Sequence, residues 1–383
     1  MDFALSAQHE EIRRTVRDFA EREIGPVADE MERSAEFPAE IIRRAAGLGL
    51  LGVPYPESVG GTGLDNLAYA ITIEELSRVS GSVGIIVSAH TSLGCAPLYA
   101  AGTPEQQERY LRPLASGATL GAYGLTEAGA GSDSRGTRTR AHRDGDDWVL
   151  TGSKRFITNA GVADTYIVTA VTDRNEAEGR ISAFIVEAGT PGFSIGRMEE
   201  KMGLHASNTG ELLFDGCRIP GENLLGDEGE GDRLFLQTLD GGRIGIGAMA
   251  LGLAQAAYEA AARYAQTREQ FGRPIASFQG VAFKIADAAT QIDAARLLVY
   301  RAAWLKDVGQ SYSTEAAMAK LFASETARQV TNDAIQVHGG YGYVSEYRVE
   351  RYLRDAKLTE IGEGTSEIQR LVIARNLLGV RAM

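Results

Sequence analysis

The chain has 383 residues, of which 44% are hydrophobic, and it carries a formal net charge of −12. This length is too great for one compact core, so we expect two or three packed units. The acidic balance argues against a nucleic-acid-binding protein with a broad basic face, and two cysteines, Cys95 and Cys217, are too few for a disulfide framework.

Residues 1–118 are predicted to form a helical domain. Ile12, Val16 and Phe19 are spaced for one helical face, and the run 103–106 (Thr-Pro-Glu-Gln) is a strong helix start. The N-terminus lacks the basic start and apolar block of a signal peptide, and no apolar run approaches the roughly 20 residues of a membrane span. We therefore expect a cytoplasmic protein, or a matrix protein if the chain is a mature mitochondrial one.

Residues 119–226 change character and predict a β domain. Short runs rich in β-branched and aromatic residues occur at 148–150, 166–171 and 181–186, and turn-forming residues separate them. From residue 227 to 383, alanine-rich helical patterns return. These predicted helices cover 247–266, 278–308 and 314–337, with a last helix starting near Thr365. The chain order is thus α, then β, then α.

Several common motifs do not predict a function here. The stretch Gly47–Gly52 fits G-x-G-x-x-G, but it follows a helical segment rather than a strand, so we interpret it as a turn. The five histidines are scattered, and no metal site is indicated. No G-x-S-x-G elbow of a serine hydrolase occurs. The ion-rich stretch Tyr347–Asp355 is typical of a solvated helix face.

The most informative segment is 123–133, which reads Tyr-Gly-Leu-Thr-Glu-Ala-Gly-Ala-Gly-Ser-Asp. Its small residues allow a bulky ligand to approach the backbone, and Thr126 and Ser132 supply hydroxyls. The string resembles a signature of the acyl-CoA dehydrogenase family, in which this loop wraps the flavin ring of FAD and contacts the thioester. The resemblance extends over nearly the whole chain and is nearest to the short-chain, butyryl-type branch.

Three further segments resemble flavin contacts of that family. In 154–159 the resemblance implies that Phe156 packs on the flavin and that the Thr158 hydroxyl bonds near N5; Phe156 replaces a frequent tryptophan. Arg268 and Phe271 are implied to reach the FAD of a neighbouring subunit. The stretch 336–355 matches a second family signature, whose glycines approach the partner's pyrophosphate or adenosine.

The predicted catalytic base is Glu363, in Ile-Gly-Glu-Gly-Thr-Ser-Glu (361–367). Thr365 is a plausible helix N-cap, so Glu363 lies on a glycine-flanked connection just before a helix. Family members carry there the base that removes the α-proton of a thioester. Members with the base elsewhere place it directly before the arginine that matches Arg243, and that residue is Gly242 here. The sequence therefore offers no rival to Glu363.

Two residues depart from many relatives. Gly362 stands where a tyrosine is frequent, which is expected to enlarge or reshape the acyl cavity. Glu367 stands where some relatives have glutamine. The FAD contacts implied by the resemblance are Tyr123, Leu125, Thr126, Gly131, Ser132, Phe156, Ile157, Thr158, Arg268, Phe271, Gln279, Gln336, Gly339, Gly340, Thr365 and Glu367. The implied substrate contacts are Ser132, Asp240, Arg243 and Gly364.

The resemblance implies a multi-domain α and β fold: an N-terminal helical domain, a middle antiparallel β-barrel and a C-terminal four-helix bundle. It implies an FAD-dependent oxidoreductase of fatty acid β-oxidation that converts acyl-CoA to trans-2-enoyl-CoA, with Glu363 as base and flavin N5 as hydride acceptor. An electron transfer flavoprotein is the expected electron acceptor. Cross-subunit FAD contacts require at least a dimer, and a homotetramer is usual.

Two alternative functions remain open. An acyl-CoA oxidase shares the fold and passes electrons to oxygen, although such chains are typically longer. A non-catalytic flavoprotein scaffold would keep the glycine loops and lose the base. Among substrates, fatty acyl, branched amino-acid-derived and secondary-metabolite thioesters all fit the resemblance.

Overall fold

The computed structural model describes residues 4–173 and 180–379. The first part is helical, as expected. π-Helical turns at Ala20–Ile24, His90–Cys95 and Gln107–Leu111 continue α1, α5 and α7. The helices are α1 Ala7–Phe19, α2 Ala28–Ser34, α3 Ala39–Gly47, α4 Asn66–Val79, α5 Gly81–Ala89, α6 Ala96–Ala101, α7 Pro104–Gln106 and α8 Arg112–Ala115.

A sheet follows, in the order β6-β7-β3-β2-β4-β5-β8, with β1 also paired to β4. The pairs β1–β4 and β2–β4 are parallel, so the sheet is mixed. The expectation of an antiparallel sheet was wrong for these two pairs. Within the described ranges no strand pairing closes it, and the expected closed barrel is not confirmed. The strands are β1 Gly121–Gly124, β2 Arg140–Asp144, β3 Asp147–Thr158, β4 Thr165–Asp173, β5 Arg180–Glu187, β6 Phe193–Met198, β7 Thr209–Pro220 and β8 Leu224–Leu225.

The C-terminal part is built on long helices. α11 packs on α9, α10, α12 and α13, and α9 also packs on α10 and α12. A short hairpin separates α9 from α10. The elements are α9 Gly231–Thr267, β9 Glu269–Gln270, β10 Arg273–Pro274, α10 Gln279–Asp307, α11 Ser313–His338, α12 Val349–Thr359 and α13 Ser366–Leu378.

α9 begins at Gly231, well before the predicted residue 247. The sequence pattern did not reveal this first half because it is rich in glycine, which has a low helix propensity. Tertiary packing explains this glycine content. At Gly245 an added Cβ would lie 2.4 Å from the Tyr69 hydroxyl of α4 and 2.4 Å from Ser88 Oγ of α5, so glycine permits this helix contact. Close approach to α4 thus places the middle of α9 at the centre of the molecule.

One hydrophobic cluster crosses all three parts of the chain. It joins Val16 of α1, Ile73 of α4, Leu251 of α9 and Val299 of α10, and it includes Leu204 from the β6–β7 connection. All five side chains are at most 2% exposed. The β6–β7 connection therefore packs into the core of the helices, whereas most of the sheet forms a separate cluster that includes Trp148 and Phe214.

The interpretation of Tyr347–Asp355 as a solvated helix face was wrong. Arg351 and Asp355 are buried, because α12 packs between the helices and the β6–β7 connection. Arg351 donates to the Val79 carbonyl oxygen (3.2 Å), and Asp355 Oδ1 accepts from the Leu204 N–H (2.7 Å). Burial raises the pKa of Asp355 to about 7.

Two segments, Gly81–Ala101 and Gly231–Thr267, are long and apolar enough to cross a membrane by length and composition alone. The expectation that no such run exists was therefore wrong by that measure. In each segment 78% of the most apolar window is buried inside the fold. Core helices of this kind pass the same test, so the finding is weak evidence for a span.

Candidate active site

Glu363 lies on the short connection between α12 and α13. Thr365 is the N-cap of α13, as predicted, and its Oγ1 accepts from the Ile368 N–H at 3.3 Å. Glu363 has φ +54° and Gly364 has φ +95°. A non-glycine residue in the left-handed region costs on the order of 1–3 kcal/mol and persists only when its surroundings impose it. The backbone at Glu363 is therefore held by the rest of the fold.

The Glu363 carboxyl group points into the protein. Its Oε2 is buried and has no hydrogen-bond partner. Burial raises the pKa of Glu363 to about 7, and the positive charges of Lys320 and Arg243 act in the opposite direction. A carboxyl group with a pKa near neutrality and a free oxygen is suited to general-base catalysis.

Gly242 of α9 faces this carboxyl group directly. A Cβ built at Gly242 would lie 1.7 Å from Glu363 Oε2 and 3.2 Å from Leu93 Cδ2. The residue at the alternative base position therefore shares its space with the Glu363 side chain. Only one of positions 242 and 363 can therefore place a carboxylate in this space. In this chain position 242 is glycine, and the Glu363 side chain occupies the space.

The predicted substrate contacts Asp240 and Arg243 lie on the same stretch of α9. Arg243 Nη1 donates to Asp240 Oδ1, which also accepts from Ser313 Oγ at 3.0 Å. Arg243 Nε is buried without a partner. Burial lowers the pKa of Arg243 and raises that of Asp240. Gly364, also predicted to contact substrate, adjoins Glu363 in the turn.

The glycine loop continues from β1. Tyr123 and Leu125 are buried, Thr126 is half-buried, and Gly131 and Ser132 are exposed. A Cβ added at Gly129 or Gly131 would meet nothing within 4 Å, so the loop borders open space. Its carbonyl at Thr126 accepts from the Arg155 N–H of β3 at 2.8 Å. The structure thus brings this loop beside the second predicted flavin segment.

That second segment contains an irregularity in β3. The register against β7 shifts between Lys154 and Ile157, and Phe156 has φ +59°. Phe156 is therefore 60% exposed although Ile157 beside it is buried. Thr158 resumes the ladder opposite Thr209. An exposed aromatic ring and a strand hydroxyl accordingly stand next to the glycine loop.

A buried ion pair under the loop was missed by the sequence analysis. Lys154 Nζ donates to the Leu125 carbonyl oxygen (3.1 Å) and to Glu127 Oε1 (2.8 Å). Glu127 also accepts from the Arg138 and Thr139 N–H groups at 2.7 and 3.0 Å. Burial lowers the pKa of Lys154 to about 8. The pair therefore joins both ends of the loop to β3. In the sequence its only sign is one acidic and one basic residue, Glu127 and Lys154, each within a motif that resembles the family.

The remaining predicted FAD contacts lie at exposed positions. An open groove of about 630 Å³ is lined by Arg268, Gly339 and Gly340 together with Tyr264, His338 and Tyr341. The Arg268 guanidinium carbon lies 5.5 Å from the centre of the Tyr341 ring. Outside this lining, Phe271 is 92% exposed. Gln279, Gln336 and Glu367 are also exposed.

Family models match almost the whole chain. They are the acyl-CoA dehydrogenase N-terminal domain at residues 6–118, the middle domain at 122–217 and the C-terminal domain at 229–378. A short-chain-specific acyl-CoA dehydrogenase of Clostridium acetobutylicum is 50% identical, covering 98% of this chain and 99% of the relative. A 3-(aryl)acrylate reductase of Clostridium sporogenes is 47% identical, over 98% and 99%.

Among solved structures, butyryl-CoA dehydrogenase from Megasphaera elsdenii is similar, with a TM-score of 0.97 and 45% sequence identity. The match covers 99% of this chain and 100% of that one. The matched ranges of the family models include the turn that carries Glu363 and the glycine loop. The chain therefore belongs to the acyl-CoA dehydrogenase family.

Proposed function

We propose that the protein oxidises an acyl-CoA thioester to the trans-2-enoyl-CoA with FAD as cofactor. One observation carries the proposal: Glu363 presents a buried, unpartnered carboxylate oxygen whose pKa is raised to about 7. A carboxylate of this kind can take a weakly acidic proton near neutral pH. The non-catalytic scaffold gives no reason for this arrangement, since a buried unpaired carboxyl group destabilises the fold.

The described residues fit FAD at two places. The open space beside Gly129 and Gly131, flanked by the exposed Phe156 ring, suits the planar flavin. The groove with Arg268, Gly339 and Gly340 suits an adenosine pyrophosphate, which a neighbouring subunit would provide. When bound, FAD would supply the acceptor for the β-hydride.

The chain itself would perform the proton transfer. Glu363 Oε2 would remove the α-proton of the thioester, and the Glu363 backbone N–H would stabilise the enolate-like charge at the carbonyl oxygen. Arg243 would bind an acceptor atom of the substrate with its unpartnered Nε. Leu93, whose Cδ2 would lie 3.2 Å from the same Cβ built at Gly242, would help to keep water from the carboxylate.

A combined measurement tests this function. The purified protein should be yellow with one FAD per chain, and anaerobic addition of a suitable acyl-CoA should bleach the flavin. A colourless protein that takes up no added FAD would overturn the proposal. Reoxidation of the bleached flavin by oxygen as fast as by an electron transfer flavoprotein would favour the oxidase instead.

The similar 3-(aryl)acrylate reductase favours a second candidate, the reverse reaction on an aryl-substituted enoyl thioester. The hydride for the β-carbon would then come from reduced FAD, and protonated Glu363 would donate the proton to the α-carbon, because its pKa lies near neutrality. Comparing 3-phenylpropionyl-CoA oxidation with cinnamoyl-CoA reduction would separate the two directions.

We also propose a homotetramer, with domains 1–118, 119–226 and 227–383. The boundaries fall where α8 gives way to β1 and where β8 gives way to α9. Large apolar side chains on the helical bundle are exposed in the single chain, among them Phe283, Trp304 and Leu378. Such exposure is typical of an interface between subunits.

Arg268→Ala is expected to weaken FAD retention and the oligomer together. The reason is the loss of a charge-assisted bond to a neighbour's pyrophosphate, worth roughly 1.5–3 kcal/mol. FAD occupancy and solution mass should be measured on the same sample. Arg263→Ala, at an exposed arginine of α9 five residues before Arg268, is the control. Full occupancy in an intact oligomer would contradict this role for Arg268.

Gly362 is expected to influence which acyl chains the substrate site accepts. A Cβ at Gly362 meets only Leu358 atoms at 3.6 Å or more, so a side chain fits without backbone strain. We expect kcat/KM across C4 to C16 thioesters to favour short or branched chains, and Gly362→Tyr to reduce activity most on the bulkiest of them. Gly280→Ala, also unobstructed, is the control. An optimum at C12 or longer would refute the short-chain preference.

A further inference from the structure

Two buried side chains meet at the turn that carries Glu363, and neither stands out in the sequence. Lys320 of α11 is 0% exposed, and its Nζ donates to the Gly364 carbonyl oxygen at 2.7 Å. Gln369 of α13 is also 0% exposed, and its Nε2 donates to the carbonyl oxygens of Glu363 (3.2 Å) and Gly364 (2.8 Å). Two consecutive carbonyl groups are thus bonded by side chains rather than by backbone.

These bonds coincide with the strained part of the backbone. Glu363 at φ +54° and Gly364 at φ +95° would relax without restraint, because a non-glycine residue disfavours this region. The space at Gly364 is closed by Gln369, whose Nε2 would lie 2.7 Å from an added Cβ. The amide of Gln369 and the ammonium of Lys320 therefore enclose the turn from two helices.

We propose that Lys320 and Gln369 are positioning residues that hold the Glu363–Gly364 turn and so aim the carboxylate of the base at the substrate. The proposal rests on the proposed function, in which Glu363 is the base. Neither side chain contacts Glu363 Oε2, which has no partner, so both act through the backbone. Lys320 additionally places a positive charge near the carboxylate.

Stability alone does not account for these two residues. A fully buried lysine loses its hydration, and burial lowers the pKa of Lys320 to about 8. Gln369 leaves its Oε1 buried and unpartnered. Methionine at position 320 would fill a similar volume without the buried charge, and the Gly364 carbonyl oxygen would keep its bond from Gln369. A purely structural role would favour such apolar replacements, whereas a fixed base requires the donors.

The charges around Glu363 determine the sign of the expected pH effect. Lys320 from α11 and Arg243 from α9 face the carboxyl group and lower its pKa, while Tyr69 from α4 is a neutral neighbour whose own pKa is raised. Removing Lys320 should therefore raise the pKa of Glu363. The deprotonated fraction at neutral pH falls, and so does the rate.

The test uses the FAD-loaded oligomer with Lys320→Met, Lys320→Gln and Gln369→Met. Three readouts are needed: the infrared titration of the Glu363 carboxyl, assigned by Glu363→Gln; the anaerobic flavin-reduction rate with butyryl-CoA; and the thermal midpoint. For Lys320→Met we expect a titration at higher pH, about 100-fold slower reduction and no lower midpoint. Lys320→Gln, which keeps a donor, should show the titration shift with a smaller loss of rate.

Gln369→Met should slow reduction while FAD content and the thermal midpoint stay unchanged. Lys284→Met, which removes an α10 lysine bonded to Asp333, is the matched control and should alter neither titration nor rate. An unchanged titration and rate in Lys320→Met, or losses that follow a lowered midpoint, would overturn the proposal. If no acyl-CoA reduces the wild-type flavin, the proposed function fails, but the infrared titration still tests the Lys320 contact.

Discussion

Glu363→Gln is expected to slow flavin reduction by acyl-CoA about 10²–10⁴-fold, the usual contribution of a general base. The amide has the size of the carboxyl group and cannot accept the α-proton. The backbone N–H of residue 363 and the distant FAD groove are unaffected, so FAD content and thioester binding should stay normal. Anaerobic stopped-flow bleaching of the flavin is the measurement.

The same variant should change the dependence of stability on pH. Because the pKa of Glu363 is raised from 4.5 to about 7 on folding, the folded state binds more protons and the wild type loses stability as pH rises through this window. The glutamine variant has no such group and does not lose this stability. The free energy of unfolding of Glu363→Gln, relative to that of the wild type, should therefore be higher at pH 8 than at pH 4 by about 3 kcal/mol. Urea unfolding at pH 4 and pH 8 measures this.

Glu11→Gln, at an exposed acidic residue of α1 outside the predicted site, is the matched control for both measurements. It preserves the buried carboxyl group, so flavin reduction should remain close to that of the wild type. Reduction of the Glu363→Gln flavin within about tenfold of the wild-type rate would show that Glu363 is not the base.

Gly242→Ala is expected to reduce the flavin-reduction rate about 100-fold by displacing the base. The new Cβ would lie 1.7 Å from Glu363 Oε2, which must move. Alanine improves helix propensity by roughly 0.5–1 kcal/mol, so lost activity with retained fold is the expected result. Flavin reduction, FAD content and helical circular dichroism should be measured together.

Gly241→Ala is the neighbouring control, because its Cβ would meet the end of the long Lys306 side chain at 3.1 Å and the Tyr312 hydroxyl at 3.9 Å. The double variant Gly242→Glu with Glu363→Gly should reduce its flavin faster than the single variant Glu363→Gly. The reason is that a glutamate at position 242 would place its carboxyl group in the space that the Glu363 side chain occupies. Wild-type rates in Gly242→Ala would contradict the position of the Glu363 carboxyl.

Local signals predicted the local elements well. The capping box at Thr103 and the N-cap at Thr365 both form, because each depends on residues within one helical turn. The turn at Gly47–Gly52 is also confirmed, since helix α3, which ends at Gly47, leads directly into it. The order of strands depends on contacts distant in sequence, and the mixed pairing around β4 had no local signal.

The site was predicted only in part. Glu363 and the glycine loop were predicted as site residues because their motifs resemble those of a known family, and that prediction stays open. Lys320 was missed because one lysine in an alanine-rich helix is typical of a solvent-facing position, and only tertiary packing buries it. Gln369 was missed for the same reason. The positive φ of Glu363 also had no signal, since glycine rather than glutamate is the usual marker of that conformation.

The shared hydrophobic cluster has a consequence for folding. Leu204 of the β6–β7 connection packs with side chains of α1, α4, α9 and α10. A second cluster joins Leu98 of α6, Ile185 of β5 and Phe235 of α9. The sheet also has a cluster of its own, but these two shared clusters couple it to the helices. Unfolding should therefore be cooperative across the whole subunit, without a stage in which the helical bundle survives alone. A fragment ending near residue 226 would expose one side of these shared clusters and is expected to aggregate rather than fold.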